Sequence, residues 1–253
     1  MKRIILYNIE YCGGTTKNKY QYLDIYHFFR SRKQLDDKLI GFLKGFNPDI
    51  LALIEIDGGG RRSSKRNEPS YFSFKLGLDF FVQTIKYSFK GLFRRLPVLR
   101  YQENALLSKY PMSDVKYHFL SKGTKKVVIE TTIELEKKVT LFIVHLALFK
   151  KTRLKQLNEL AELVKSKKGP IIVMGDFNTF KEEELDILLK KTRLVDAYSS
   201  KPNHKIKYTE PSWKPKYRLD NILVTPDIKV VNYEILEAHF SDHLPVLLDF
   251  NLK

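Results

Sequence analysis

Cysteine is almost absent: Cys12 stands alone in 253 residues. A lone thiol excludes an intramolecular disulfide framework and a zinc site built from several cysteines. Long apolar runs are missing as well. A membrane-spanning helix needs roughly 18 or more consecutive apolar residues, and the longest candidate, residues 139–149, is shorter and contains His145. Residues 4–7 follow Met1-Lys2-Arg3 like the start of a signal peptide, but Asn8 and Glu10 end the run too early. The expectation is a protein working in the cytoplasm, with no transmembrane segment. Gly (12) and Pro (10) are too few for a collagen-like or linker chain. No period of roughly 20–50 residues repeats, which excludes a solenoid.

Positive charge is what the chain has in excess. Lys and Arg number 45 against 29 Asp and Glu, a formal net charge of +16. Such a balance concerns partners and not fold. Polyanions are the expected partners: nucleic acid first, an anionic membrane surface second. Hydrophobic residues make up 43%, more than a disordered chain carries. The length suits one large α/β domain or two small ones. We expect one domain over residues 1–253, a monomer, with a basic surface excursion at about 58–101 that shows no core of its own.

Short apolar runs read as strands at 3–9, 49–56, 80–87, 104–108, 127–135, 139–146, 170–175, 219–225, 230–236 and 245–250. Leu141-Phe142-Ile143-Val144 and Ile171-Ile172-Val173-Met174 are apolar on both faces. Strands of that kind are covered on two sides. Helical spacing is clearest at 33–45, where Leu35, Leu39, Phe42 and Leu43 form a stripe. It recurs at 151–168, through Leu154, Leu157, Ala161 and Val164, until Gly169-Pro170 stops it. A third helix is predicted at 182–190. Strands with interspersed helices indicate α/β layers.

The chemistry lies in polar residues that close these apolar runs. Asn8 ends the first strand and Glu55 ends the second. His145 sits at the end of 141–146. Asp176 and Asn178 follow a buried strand in Gly175-Asp176-Phe177-Asn178. Asp220 heads Leu219-Asp220-Asn221-Ile222, and Asp242 and His243 lie in Ser241-Asp242-His243-Leu244-Pro245. Each alone has an ordinary explanation, such as a turn residue or a hydrogen-bonded core histidine. Six such placements in one chain do not, because strand termini are where scaffolds present reactive groups.

In order and spacing the set resembles the endonuclease/exonuclease/phosphatase superfamily, which includes deoxyribonuclease I, exonuclease III, inositol polyphosphate 5-phosphatases and neutral sphingomyelinases. The matching pieces run from Asn8 to His243, nearly the whole chain. The resemblance implies a four-layer α/β/β/α sandwich of two packed mixed sheets with outer helices. It implies hydrolysis of a phosphate ester dependent on Mg²⁺, with Mn²⁺ as a substitute. Glu55 is then the principal metal ligand, with Asn8 and Asp242 beside it. Mg²⁺ prefers oxygen donors and is commonly held by one or two carboxylates plus water. Asp176 and Asn178 would position or activate the attacking water. His243 would act as a base or phosphate contact oriented by Asp220, and His145 would donate to a phosphate oxygen. A histidine at position 145 looks like the deoxyribonuclease I, sphingomyelinase and phosphatase branches. Asn104 resembles a family piece that contacts substrate phosphate, and Trp213 lies in a loop that by resemblance lines the groove.

The basic excursion leaves two readings open. Arg61 and Arg62, with Lys65 and Arg66, would bind phosphate backbones through charge, with Tyr71, Phe72 and Phe74 stacking on bases. Alternatively Phe89, Leu92, Phe93 and Leu96, interleaved with Lys86, Lys90, Arg94 and Arg95, would form a basic amphipathic patch for a membrane. The expected function is therefore a metal-dependent phosphodiesterase, a nuclease first. A phospholipid or inositol-phosphate hydrolase is the alternative, and a binding module with a vestigial site comes third.

Overall fold

A computed structural model describes residues 1–17, 34–85, 99–200 and 207–253. The elements in chain order are β1 (Lys2–Asn8), α1 (Leu35–Phe46), β2 (Ile50–Asp57), α2 (Glu68–Leu76), β3 (Phe80–Ile85), β4 (Gln102–Ser108), β5 (Met112–Phe119) and β6 (Val127–Glu134). They continue with β7 (Lys138–His145), α3 (Lys150–Lys165), β8 (Ile171–Asp176), α4 (Asp186–Lys191), β9 (Val195–Asp196), β10 (Asp220–Val224), β11 (Ile228–Ile235) and β12 (Val246–Leu252). The strands form two six-stranded sheets, ordered β11-β12-β1-β2-β4-β3 and β5-β6-β7-β8-β10-β9. In each sheet a central pair is parallel, β1 with β2 and β7 with β8, and every other pairing runs antiparallel.

Period-two alternation assigns each side chain to a layer. Ile4 and Leu6 of β1, Ala52 and Ile54 of β2, Leu141 and Ile143 of β7 and Met174 of β8 meet in one core between the sheets. The intervening Ile5, Tyr7, Leu51 and Leu53 pack outward against Leu39, Ile40 and Leu43 of α1. Phe142, Val144 and Val173 pack outward against Leu157, Leu160, Ala161 and Val164 of α3. Double burial of these strands follows, and with it the sandwich architecture expected from their apolar composition. Cys12 is a buried thiol of the α1-side core. Among the described residues no helix is long and apolar enough to cross a membrane.

Three elements add to the sequence-based set. β5 is an edge strand whose side chains lie mostly at the surface, so it lacks the apolar run that marks the others. β9 has two residues. α2 begins where Asn67 caps it by accepting from Ser70 N, carries Pro69 in its first turn, and stops at Gly77 in the left-handed region. These three signals stood inside the basic excursion. The excursion's start is ordered by its own contacts: Asp57 accepts from Gly59 N, Gly60 N and the Ser63 hydroxyl. Residues 86–98, which hold the predicted amphipathic patch, lie outside the described residues.

Candidate active site

Strand register gathers the polar residues at one end of the sandwich. His145 ends β7 opposite Asp176 of β8, and Asp176 in turn pairs with Asp220 at the start of β10. One step back, Val144 pairs with Gly175. A side chain at Gly175, whose φ is +150°, would collide with the Val144 carbonyl. That glycine lets the two strands carry His145 and Asp176 side by side. In the other sheet Asn8 lies opposite Ile54, next to Glu55. Glu55 sits where the β2–β4 register shifts, with a left-handed φ of +58°. A bulge of this kind re-aims a side chain, and backbone strain of this kind concentrates at functional sites.

The side chains then converge. Asn8 Nδ2 donates to Asp176 Oδ2 at 3.1 Å. His145 Nε2 lies 3.4 Å from Asp176 Oδ2, and its Nδ1 lies 3.9 Å from Glu55 Oε1. His243 Nδ1 is 2.7 Å from Asp220 Oδ2, while its Nε2 is 4.0 Å from Asp242 Oδ1. The Ser241 hydroxyl donates to Asn8 O at 2.7 Å, joining the loop before β12 to the end of β1. Asn178 acts as a brace: its N–H donates to Asp176 Oδ1 and its amide nitrogen donates to Leu146 O. Asn104 is buried and accepts from Glu55 N at 3.2 Å, so it holds the bulge that aims Glu55. The set from Asn8 to His243 is thus brought together.

The expected substrate contacts divide. Trp213 lines a groove of about 560 Å³ with Tyr208, Pro215 and His239. Ser212 ties this loop to the site by donating to the backbone carbonyls of Asp242 and Ser241. Arg61 is exposed, whereas Arg62 is buried over the Tyr11 ring at 4.5 Å. Phe72 is core, Tyr71 donates to Asp37, and Phe74 faces solvent. Arg66 pairs with Asp36 and lies over Tyr71. Two of the four basic residues thus pack the excursion down, Arg62 on Tyr11 and Arg66 on Asp36 of α1, while Arg61 and Lys65 stay exposed.

Lys125 and Glu210, both absent from the expected set, join the site, as does Glu10, which lies in the field of Asp242 and Glu55. Lys125 Nζ lies 2.5 Å from His145 Nε2 and 3.5 Å from Glu55 Oε1. Glu210 is a mostly buried carboxyl in the field of His243, Asp242, Asp176 and Asp220. Nothing in the spacing of Lys125 distinguishes it from the other lysines. Glu210 stood beside Pro211-Ser212-Trp213, but its orientation depends on the turn it shares with Tyr217.

Electrostatics are strained in one direction. Burial and the charge of Asp220 raise Asp176 to about 6. Burial and Asp242 raise Glu10 to about 7, and burial raises Glu210 to about 7. Burial disfavours the His243 imidazolium, yet the charges of Asp220 and Asp242 and the Asp220 hydrogen bond outweigh it and lift the ring well above its ordinary value. Asp220 Oδ1 is buried with no hydrogen-bond partner. Carboxylates that destabilise one another, beside a lysine drawn toward Glu55, make a centre that attracts cations. Among the described residues no three His, Cys, Asp or Glu side chains form a ready metal cage. Mg²⁺ does not require one, since it keeps several waters and takes one or two carboxylates. Glu55, Asp242 and the Asn8 amide are oxygen donors of the kind it takes, the amide oxygen also accepting from Glu10 N.

Comparison with known proteins settles the family. The profile of the endonuclease/exonuclease/phosphatase family matches residues 7–243. The chain belongs to this family. It is similar to a UPF0294 protein of Vibrio vulnificus, 27% identical over 159 residues, covering 62% of this chain and 47% of that protein. The chain thus spans about half the length of the curated relatives it matches. Its fold is similar to a mannosyl-6-phosphatase of Bacteroides thetaiotaomicron, with a TM-score of 0.71, 16% identity and full coverage of both chains. It is also similar to the human Nocturnin catalytic domain with bound sulfate, at a TM-score of 0.70 and 19% identity, covering 100% and 93% of the two chains.

Proposed function

We propose that this family member is a Mg²⁺-dependent phosphodiesterase acting on nucleic acid. The observation that carries the reading is the meeting of Glu55, Asp176 and the Asp220–His243 pair at one end of a chain with net charge +16. Glu55, with Asn8 and Asp242, would hold the ion. When bound, it polarises phosphoryl oxygens and offsets the charge that develops on them. Asp176, fixed by Asn8 and Asn178, orients the attacking water and accepts its proton. Asp220 occupies His243 Nδ1, so Nε2 is the edge presented to a phosphate oxygen. His145 meets the same phosphate from the β7 side. Trp213 and exposed Arg61 are the proposed contacts to the rest of the strand. The reading takes the protein to act in the cytoplasm as a monomer.

One observation favours a second substrate class. Leu148, Phe149 and Phe180, which follow the His145 and Asn178 loops, are 57%, 82% and 41% exposed. Apolar side chains at the mouth of a site suit a phospholipid or inositol-phosphate hydrolase seated on an anionic membrane. The deciding experiment is hydrolysis with Mg²⁺ or Mn²⁺ against EDTA, with a Glu55→Ala/His243→Ala control. Plasmid DNA, single-stranded DNA, RNA, a short-chain phospholipid and an inositol phosphate make up the panel. Metal-dependent nucleic-acid cleavage lost in the double variant is expected. Turnover of the lipid or inositol substrates alone would overturn the nucleic-acid reading.

A further inference from the structure

The loop joining β5 to β6 is short, lysine-rich and unusually well anchored. Gln156 of α3, fully buried, donates from Nε2 to the carbonyls of both Lys122 and Lys125 at 2.8 Å. Its Oε1 accepts from Ala147 N at 2.8 Å. One side chain thereby ties the lysine loop to the segment that follows His145. Ser121 N donates to Glu159, one helical turn further along α3, at 2.7 Å. Gly123 has a φ of +99°, and a Cβ there would come 2.8 Å from Gln156 Nε2, so the loop sits on the helix too closely for a side chain. Lys122 is exposed, whereas Lys125 turns inward, and its ammonium reaches His145 and Glu55.

Resting on the phosphoesterase reading, we propose that Lys125 is a built-in cation of the active site, with two consequences. Beside Glu55 it competes with the divalent metal for the carboxylate. Beside His145 it binds a phosphate oxygen of the substrate. The first follows from distance: an ammonium 3.5 Å from the ligand carboxylate repels a second cation placed there. The second follows from chemistry. A lysine is a compact point charge suited to phosphate, and the Gln156 anchor holds it where the carboxylates would otherwise repel the substrate anion. Such a lysine makes metal and phosphate arrive together: phosphate draws the ammonium from Glu55, and the carboxylate becomes available to the metal.

The test uses the full chain and two titrations without turnover. Mn²⁺ binding is followed by calorimetry for the wild type, Lys125→Ala and Lys125→Arg, with thermal melts to show that each variant folds. Lys125→Ala should bind Mn²⁺ about tenfold more tightly, because a nearby positive charge is gone, while Lys125→Arg stays near the wild type. Inorganic phosphate, titrated into the metal-free protein, should bind Lys125→Ala about tenfold more weakly, with arginine restoring most of the loss. Unchanged Mn²⁺ affinity in Lys125→Ala overturns the competition, and unchanged phosphate affinity overturns the phosphate contact. Neither titration requires hydrolysis. If Lys125→Ala shifts both affinities while the wild type cleaves nothing in the substrate panel, the phosphoesterase reading sinks and the Lys125 inference stands.

Discussion

Glu55 and Asp57 lie two residues apart on β2, yet they belong to two charged clusters of opposite character. Asp57 is buried and closed by its own loop: Gly59 N, Gly60 N and the Ser63 hydroxyl all donate to it, and its N–H donates to Glu68. The arginines nearby are used up locally, Arg66 on Asp36 and Arg62 over Tyr11. At the Glu55 end, carboxylates from β8, β10 and the loop before β12 face one another across the gap between two sheets, and a lysine and a histidine lean into them. In the first cluster hydrogen bonds close around Asp57, while burial leaves Glu68 and Glu103 beside it both raised to about 7. On the proposed reading, the second leaves charge for a metal and a phosphate to resolve. The two clusters differ in origin: the first is built by one loop around one carboxylate, the second by side chains from both sheets.

That contrast can be broken by substitution, beginning with the largest effect. His243→Ala should lower kcat/KM on the best phosphodiester substrate by about 10³-fold, because it removes the group proposed to meet the phosphate oxygen. Initial rates and a circular-dichroism melt check it; a variant that keeps a third of its activity would place the site elsewhere. Asp57→Ala should do the converse. Stability should fall by about 3 kcal/mol, since three donors lose their acceptor, while activity per folded molecule changes by less than about threefold. Urea unfolding beside specific activity measures both, and an activity loss as large as that of His243→Ala would merge the two clusters into one machine.

A pH experiment sharpens the same comparison. Burial raises Glu68 from 4.5 to about 7. The folded protein therefore holds a proton that the unfolded chain has lost, and Glu68's contribution falls as pH rises from 4.5 toward 7. Glu68→Gln keeps an acceptor for Asp57 N but cannot ionise. Relative to the wild type it should gain about 3 kcal/mol between pH 4.5 and pH 8. Melting temperatures across that range decide it; parallel pH profiles would show that Glu68 does not titrate there. The smallest effect belongs to exposed Arg61. Arg61→Ala should reduce the salt slope of nucleic-acid binding by about one phosphate contact and leave stability unchanged. A loss of binding independent of salt would assign Arg61 a base contact instead.

Most of the residues that converge in the candidate site were conspicuous in the sequence. Asn8, Glu55, His145, Asp176, Asp220 and the Asp242-His243 pair each terminate or flank an apolar run, and a polar residue there is conspicuous because strand interiors exclude it. Lys125 was hidden because it lies in a loop whose position is set by Gln156, far along the chain. Arg62 misled for the complementary reason. A run of arginines looks solvated until Tyr11, brought alongside by the fold, covers one of them.

Sequence alone determined which strands are buried on both faces, which residues close them, and that the chain carries a large positive excess. Those properties are local: alternation, composition and turn chemistry act within a few residues. Tertiary structure decided which charges meet. Two parallel central pairs, one bulge at Glu55 and the close approach at Gly175 bring carboxylates from distant segments within a few ångströms. Coulomb energy and desolvation depend on that distance and burial, neither of which a linear sequence specifies.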